Sequence, residues 1–188
     1  MTQSTSHDHD HDHDHIPAPD RVQRDDLGRL VAVAWLGTAE GQQAGSARWL
    51  VAVDGSACAL HAVQAAARLV ALDQGSGIDL VHVQSWLSKE AAETGLARGG
   101  WVATAPARRL LEAASIPWNL HVLMGEAADE IVDLAHRLGS LGIAVGSHGL
   151  TAAESVLLGS VADQVLRRAT LPVLIVNGAS AMPATPDA

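Results

Sequence analysis

Five short apolar runs set the frame of this chain: WLVAV (49–53), IDLVHV (78–83), WNLHVLM (118–124), LGIAV (141–145) and LPVLIV (171–176). Each has the length of a strand buried on both faces, and helical patterns separate them. After WLVAV, Ser56 is placed to cap a helix over about residues 56–72, whose stripe is Leu60, Val63, Ala67 and Val70. Leu110, Leu111 and Ala114 mark a second helix, and Ile131, Leu134, Ala135 and Leu138 mark a third, stopped by Gly139. A fourth begins near Gly159. Strands alternating with helices in this way predict an α/β fold, a mostly parallel sheet covered on both faces.

At 188 residues, one domain with tails is expected. No apolar run approaches the length of a membrane span and the N-terminus is polar, so a soluble, cytoplasmic protein that engages no membrane is expected. The formal net charge is −9 and Lys89 is the one lysine, which argues against nucleic acid as a partner. A single cysteine, Cys58, leaves no internal disulfide and no cysteine-based zinc site.

The stretch GSHGLTAAESVLLGS (146–160) follows the fourth strand directly. Ligands of open α/β sheets bind beyond the carboxyl ends of strands, where the strand order reverses. Gly146 and Gly149 can take positive φ there and admit a ligand to the backbone. Gly159 and Ser160 open a helix whose free N–H groups and positive dipole end suit an anion, with the Ser160 hydroxyl able to cap the helix or donate to phosphate. No lysine follows, so this is not the G-x-x-x-x-G-K-[ST] loop, and no G-x-G-x-x-G follows the first strand. Asp54, at the end of that first strand, suits either a turn cap or a ligand contact.

The spacing G-x2-G-x9-G-[ST] after a fourth strand resembles the ATP-binding signature of universal stress proteins. VAVDGS (51–56), LVHV (80–83), GEAADEIVDLA (125–135) and LPVLIV resemble other segments of that family in the same order along the chain, over about residues 48–177. The resemblance implies a single doubly wound, Rossmann-like open sheet of five parallel strands in the order 3-2-1-4-5. It implies that Asp54 and the backbone of Val83 border adenine and ribose, and that Gly146, Gly149, Gly159, Ser160 and Val161 line the phosphates. ATP with Mg2+ is the implied cofactor, and a homodimer paired along the last strand is the implied assembly. Members often carry a basic residue between the second and third glycines, where this chain has Glu154.

Residues 1–28 form a His/Asp-rich tail with nothing periodic to bury, and disorder is expected there. Within it His7, His9, His11, His13 and His15 alternate with aspartates, a donor set for Zn2+ or Ni2+. Residues 29–47 read as an extension and linker. Its RLVAVAWLG (29–37) is apolar enough for a short strand or helix and could fold over the edge of the last strand. Residues 178–188 form a C-terminal tail. His61, His82, His121 and His136 read as structural, and the five tryptophans as packing or interface residues.

No nucleophile, base and orienting group assemble with any specificity, so ATP hydrolysis is expected to be slow at most. Three functions follow: an ATP-binding stress regulator with a metal-binding tail, a nucleotide-free dimeric scaffold, or a metal buffer on the same fold.

Overall fold

The computed structural model describes residues 16–37, 48–72, 77–149 and 158–178. In chain order its elements are β1 (Arg21–Arg24), β2 (Leu30–Leu36), β3 (Trp49–Ala52), α1 (Ala57–Leu72), β4 (Ile78–Gln84), α2 (Lys89–Ala103), α3 (Ala105–Ala113), β5 (Trp118–Met124), α4 (Ala127–Leu138), β6 (Gly142–Gly146), α5 (Ser160–Arg168) and β7 (Val173–Val176). All five apolar runs are strands. The sheet has seven strands rather than five, in the order β1-β2-β5-β4-β3-β6-β7. Its parallel part, β5-β4-β3-β6-β7, carries the expected 3-2-1-4-5 order.

Both extra strands belong to the N-terminal segment, and both correct the sequence reading. RLVAVAWLG is a strand, and it pairs antiparallel with β5, Trp35 opposite Leu120, instead of covering β7 at the other edge. The driving force is burial: Leu30, Val33 and Trp35 are 5%, 3% and 4% exposed within the core. Disorder expected over 1–28 does not extend to Arg21–Arg24, whose four exposed residues pair with β2 as a hairpin. Asp25 accepts from the N–H groups of Leu27 and Arg29, Gly28 turns the chain at φ 72°, and Arg24 pairs with Glu93 of α2.

One face of the sheet packs α1, α2 and α3, and the other packs α4 and α5. Leu50, Ile78, Leu80, Leu120 and Ile143 have no exposed surface, and each contributes about 1.5–3 kcal/mol by burial. The helix α2 was not foreseen, because Gly95, Gly99 and Gly100 lower its helical propensity. Gly100 is there for packing: a Cβ would lie 2.3 Å from a methyl of Val122 on β5.

Ser56 caps α1 as the sequence implied, its Oγ accepting from the Ala59 N–H at 3.1 Å. Ser56→Ala should therefore cost about 1 kcal/mol. Thermal unfolding would register this as a Tm lower by roughly 2–4 °C. Among the described residues no helix is long and apolar enough to cross a membrane.

Candidate functional site

The strand order reverses between β3 and β6. Connections through α1, α2 and α3 lead from β3 toward β5, while α4 and α5 lead to β6 and β7 on the other side. The carboxyl ends of β3 and β6 therefore part around a crevice. A cavity of 440 Å³ lies there, and Asp54, Val83, Gly146, Gly149, Gly159, Ser160 and Val161 all line it. Its volume is that of a small-molecule site.

Asp54 closes β3. Its Oδ1 accepts from the Ser56 N–H at 2.9 Å, and Gly55 takes φ 89° to complete the turn. A His82 ring nitrogen lies 2.7 Å from the Val53 carbonyl oxygen and holds the strand end in place. Across the crevice β6 ends at Gly146. The Ser147 N–H donates to Val176 O at 2.8 Å, and the Gly159 N–H donates to Ser147 O at 2.7 Å. Those two bonds tie the start of α5 to the ends of β6 and β7.

The reason for the three glycines is close approach, and positive φ has no part in it. Among the described residues the glycines with positive φ are Gly28, Gly55, Gly125 and Gly139. A Cβ on Gly146 would lie 2.7 Å from the Cys58 backbone carbon, so Gly146 lets α1 pack against the end of β6. On Gly149 it would lie 2.7 Å from Asp54 Oδ2, and on Gly159 it would lie 3.2 Å from Ser147 O. Gly149 and Gly159 thus keep side chains out of the narrow gap between Asp54 and α5.

The start of α5 also differs in detail from expectation. Gly159 is the N-cap and no side chain caps the helix, so Ser160, the first helical residue, does not cap it. The N–H groups of Ser160, Val161 and Ala162 accordingly have no intrahelical acceptor, and the positive end of the helix dipole faces the same cavity. Together they form a donor set for an anion.

The rest of the wall was missed in the sequence. Beside Val83, which the resemblance implied, Val81, Ala127 and Ile131 make it apolar, with Ser147 next to His148 at the loop. The Ser147 hydroxyl and His148 Nδ1 are 2.9 Å apart. Ile131 was legible as part of an apolar helix face, but the period cannot say which ligand that face meets. No lysine or arginine is among the described lining residues. Glu154 and the five tail histidines lie outside the described residues, among which no group of three or more His, Cys, Asp or Glu could hold a metal.

Strand order, reversal point and the uncapped helix start together define a doubly wound α/β protein with a crevice of small-molecule size at its strand ends. The chain belongs to the universal stress protein family, whose model matches residues 47–177. It is 36% identical over 70 residues to Universal stress protein MJ0531 of Methanocaldococcus jannaschii, covering 37% of this chain and 41% of that protein. The first curated relatives are thus matched over about two fifths of their length. Universal stress protein YxiE of Bacillus subtilis is 30% identical over 150 residues, 69% of this chain and 98% of that protein. Among solved structures, M. jannaschii MJ0577 superposes with a TM-score of 0.65 at 24% identity, covering 72% of this chain and 98% of that one. A universal stress protein in complex with cAMP superposes with a TM-score of 0.56 at 25% identity, covering 71% and 98%.

Proposed function

We propose that the protein is a stress-response regulator that binds an adenine nucleotide in the crevice between β3 and β6. The observation that carries this reading is the cradle of Gly149, Gly159 and the first turn of α5 facing Asp54. In it the N–H groups of Ser160 and Val161 and the Ser160 hydroxyl hold phosphate, with Gly146 and Gly149 beneath the loop. Asp54 accepts from the ribose hydroxyls, and adenine lies along the apolar wall at Val83. The related protein solved with cAMP supports the ligand class.

ATP is the nucleotide that the resemblance of G-x2-G-x9-G-[ST] to the family's signature implies. Mg2+ bound to its phosphates supplies charge neutralisation that no lysine or arginine of the described lining provides. Bound nucleotide then reports adenine nucleotide level, with hydrolysis slow or absent. The test is what the purified protein carries: ultraviolet absorbance and chromatography after denaturation should release an adenine nucleotide, and titration calorimetry of the stripped protein should restore it. Protein that neither carries nor takes up ATP or cAMP would leave the dimeric scaffold as the better reading.

Two further properties complete the proposal. The β7 edge pairs with a second copy, because that edge is unpaired among the described residues whereas β2 covers β5 at the other end. His7, His9, His11, His13 and His15 bind Zn2+ or Ni2+ through neutral imidazoles. Deleting residues 1–15 should remove tight metal binding and leave nucleotide affinity unchanged. In the full chain, metal affinity should rise with pH through the imidazole range, since protons compete with metal below it. A chelator-competition titration of both proteins checks this; equal metal affinity after deletion would point to histidines elsewhere.

A further inference from the structure

A second cavity, of 520 Å³, lies at the amino-terminal end of β5. The crevice beyond the strands' other ends is about 20 Å away along a seven-residue strand. Its wall joins two parts of the chain: Trp35 and Asp20 come from the N-terminal extension, while Trp101, Trp118, Ile116 and Glu112 come from α2, β5 and the end of α3. The extension lies outside residues 47–177, so the family fold alone does not build this cavity.

Three indoles are held in fixed relation. Trp35 and Trp101 have ring centroids 4.9 Å apart at 49°, and Trp101 and Trp118 are 6.5 Å apart at 57°. Trp35 Nε1–H donates to Pro17 O at 2.9 Å, which ties the incoming chain to the wall. Arg108, 8% exposed, lies over Trp101 with its guanidinium carbon 3.5 Å from the ring centroid, and it donates to Trp101 O at 2.9 Å. The indole cluster therefore already stabilises one planar cation withdrawn from water.

The rim of the cavity is acidic. Asp20 and Glu112 are exposed carboxylates, and no lysine or arginine is among the described lining residues. Asp20 Oδ2 accepts from the Leu36 N–H at 2.7 Å, which fixes that carboxylate at the mouth. Apolar π-faces inside and negative charge at the rim fit a ligand with a flat apolar body and a positive end. An anionic ligand would meet like charge at the same rim.

We propose that this cavity is a second binding site, independent of the nucleotide crevice, for a small aromatic amine carried as its ammonium ion. The ring packs among Trp101, Trp118 and Ile116, and the ammonium faces Asp20 and Glu112. The site recognises charge at the rim and shape within.

The test uses three probes of one size: 3-phenylpropylammonium, 3-phenylpropanol and 3-phenylpropionate. Binding to the full chain is followed through the indole N–H signals in nitrogen-15 correlation spectra, assigned by single Trp→Phe replacements. The ammonium should shift the signals of Trp35, Trp101 and Trp118, with a Kd of roughly 0.1–1 mM. It should bind about tenfold tighter than the alcohol, while the carboxylate leaves the signals in place. Joint replacement Asp20→Asn and Glu112→Gln keeps an acceptor for Leu36 and alters two exposed side chains, and it should bring the ammonium to the affinity of the alcohol. Equal binding of all three probes, shifts confined to Trp49 and Trp86, or displacement of the ammonium by ATP or cAMP would overturn the proposal. So would absence of any binding.

Discussion

Gly159→Val should weaken adenine nucleotide binding by roughly 100-fold, or about 2.8 kcal/mol, while the protein stays folded. Gly159 has φ −69° and ψ 155°, a conformation open to valine, so the backbone itself resists nothing. What resists is space: the new Cβ would lie 3.2 Å from Ser147 O, and its methyl groups would extend into the gap proposed for phosphate at the first turn of α5. Loss of two or three backbone donors to a charged phosphate accounts for an effect of that size. Gly149→Ala attacks the same gap from the other side by pushing the Asp54 carboxylate aside, and it should cost less because a side chain yields more easily than backbone. Calorimetric titration with ATP, with circular dichroism as the control for folding, decides both. Wild-type affinity in Gly159→Val would show that the glycine spacing serves packing alone.

Ile175→Pro should turn the dimer proposed at the β7 edge into a monomer. Pro172 O and Val176 O accept from the N–H groups of Ile143 and Ser147, so the even-numbered residues of β7 face the neighbouring strand. Backbone groups of Val173 and Ile175 therefore point to the unpaired edge. Proline at 175 removes an outward N–H and leaves the β6 ladder intact, the situation in which proline is tolerated on an edge strand. Lysine at Leu174 or Val176 is a poorer probe, since both side chains pack against the core and their loss would confuse unfolding with dissociation. Sedimentation at micromolar concentration should give a dimer for the wild type and a monomer for Ile175→Pro. An unchanged dimer would move the interface elsewhere on the surface.

The extension bears on the same assembly. With β2 laid on β5 and the charged β1 outside it, one edge of the sheet is closed by the chain itself. Arg21 and Arg24 at that outer edge discourage further strand addition, and Arg24 is engaged by Glu93. The β7 edge carries no such charges, its four residues being Val-Leu-Ile-Val.

Much of this was legible in the residues alone. Continuous apolar runs of strand length, each followed by a helical stripe, fix the parallel core because only a sheet covered on both faces buries both patterns. Ser56 and Gly139 marked helix ends correctly, because caps are local chemistry: a hydroxyl accepting from the Ala59 N–H, and a residue at φ 64°. The glycine spacing likewise brought Gly146, Gly149, Gly159 and Asp54 to one crevice.

Other features were settled by tertiary contacts. RVQR has no apolar period of its own and becomes a strand only because β2 offers it a ladder. RLVAVAWLG could not reveal its partner, since apolar strength is the same for either sheet edge; Trp35 fitting beside Trp101 directs it to β5. Glycine-rich α2 is a helix because Ser88 caps it and Ala92, Leu96 and Gly100 bury one face of it, Gly100 lying close against Val122. The site glycines were identified by position, but the positive φ expected at Gly146 and Gly149 is absent, because a sequence reports the absence of a Cβ and only the folded chain shows which neighbour occupies its place. The Trp-lined cavity arises in the same way: its indoles are at positions 35, 101 and 118, and no local pattern links them until β2, α2 and β5 meet.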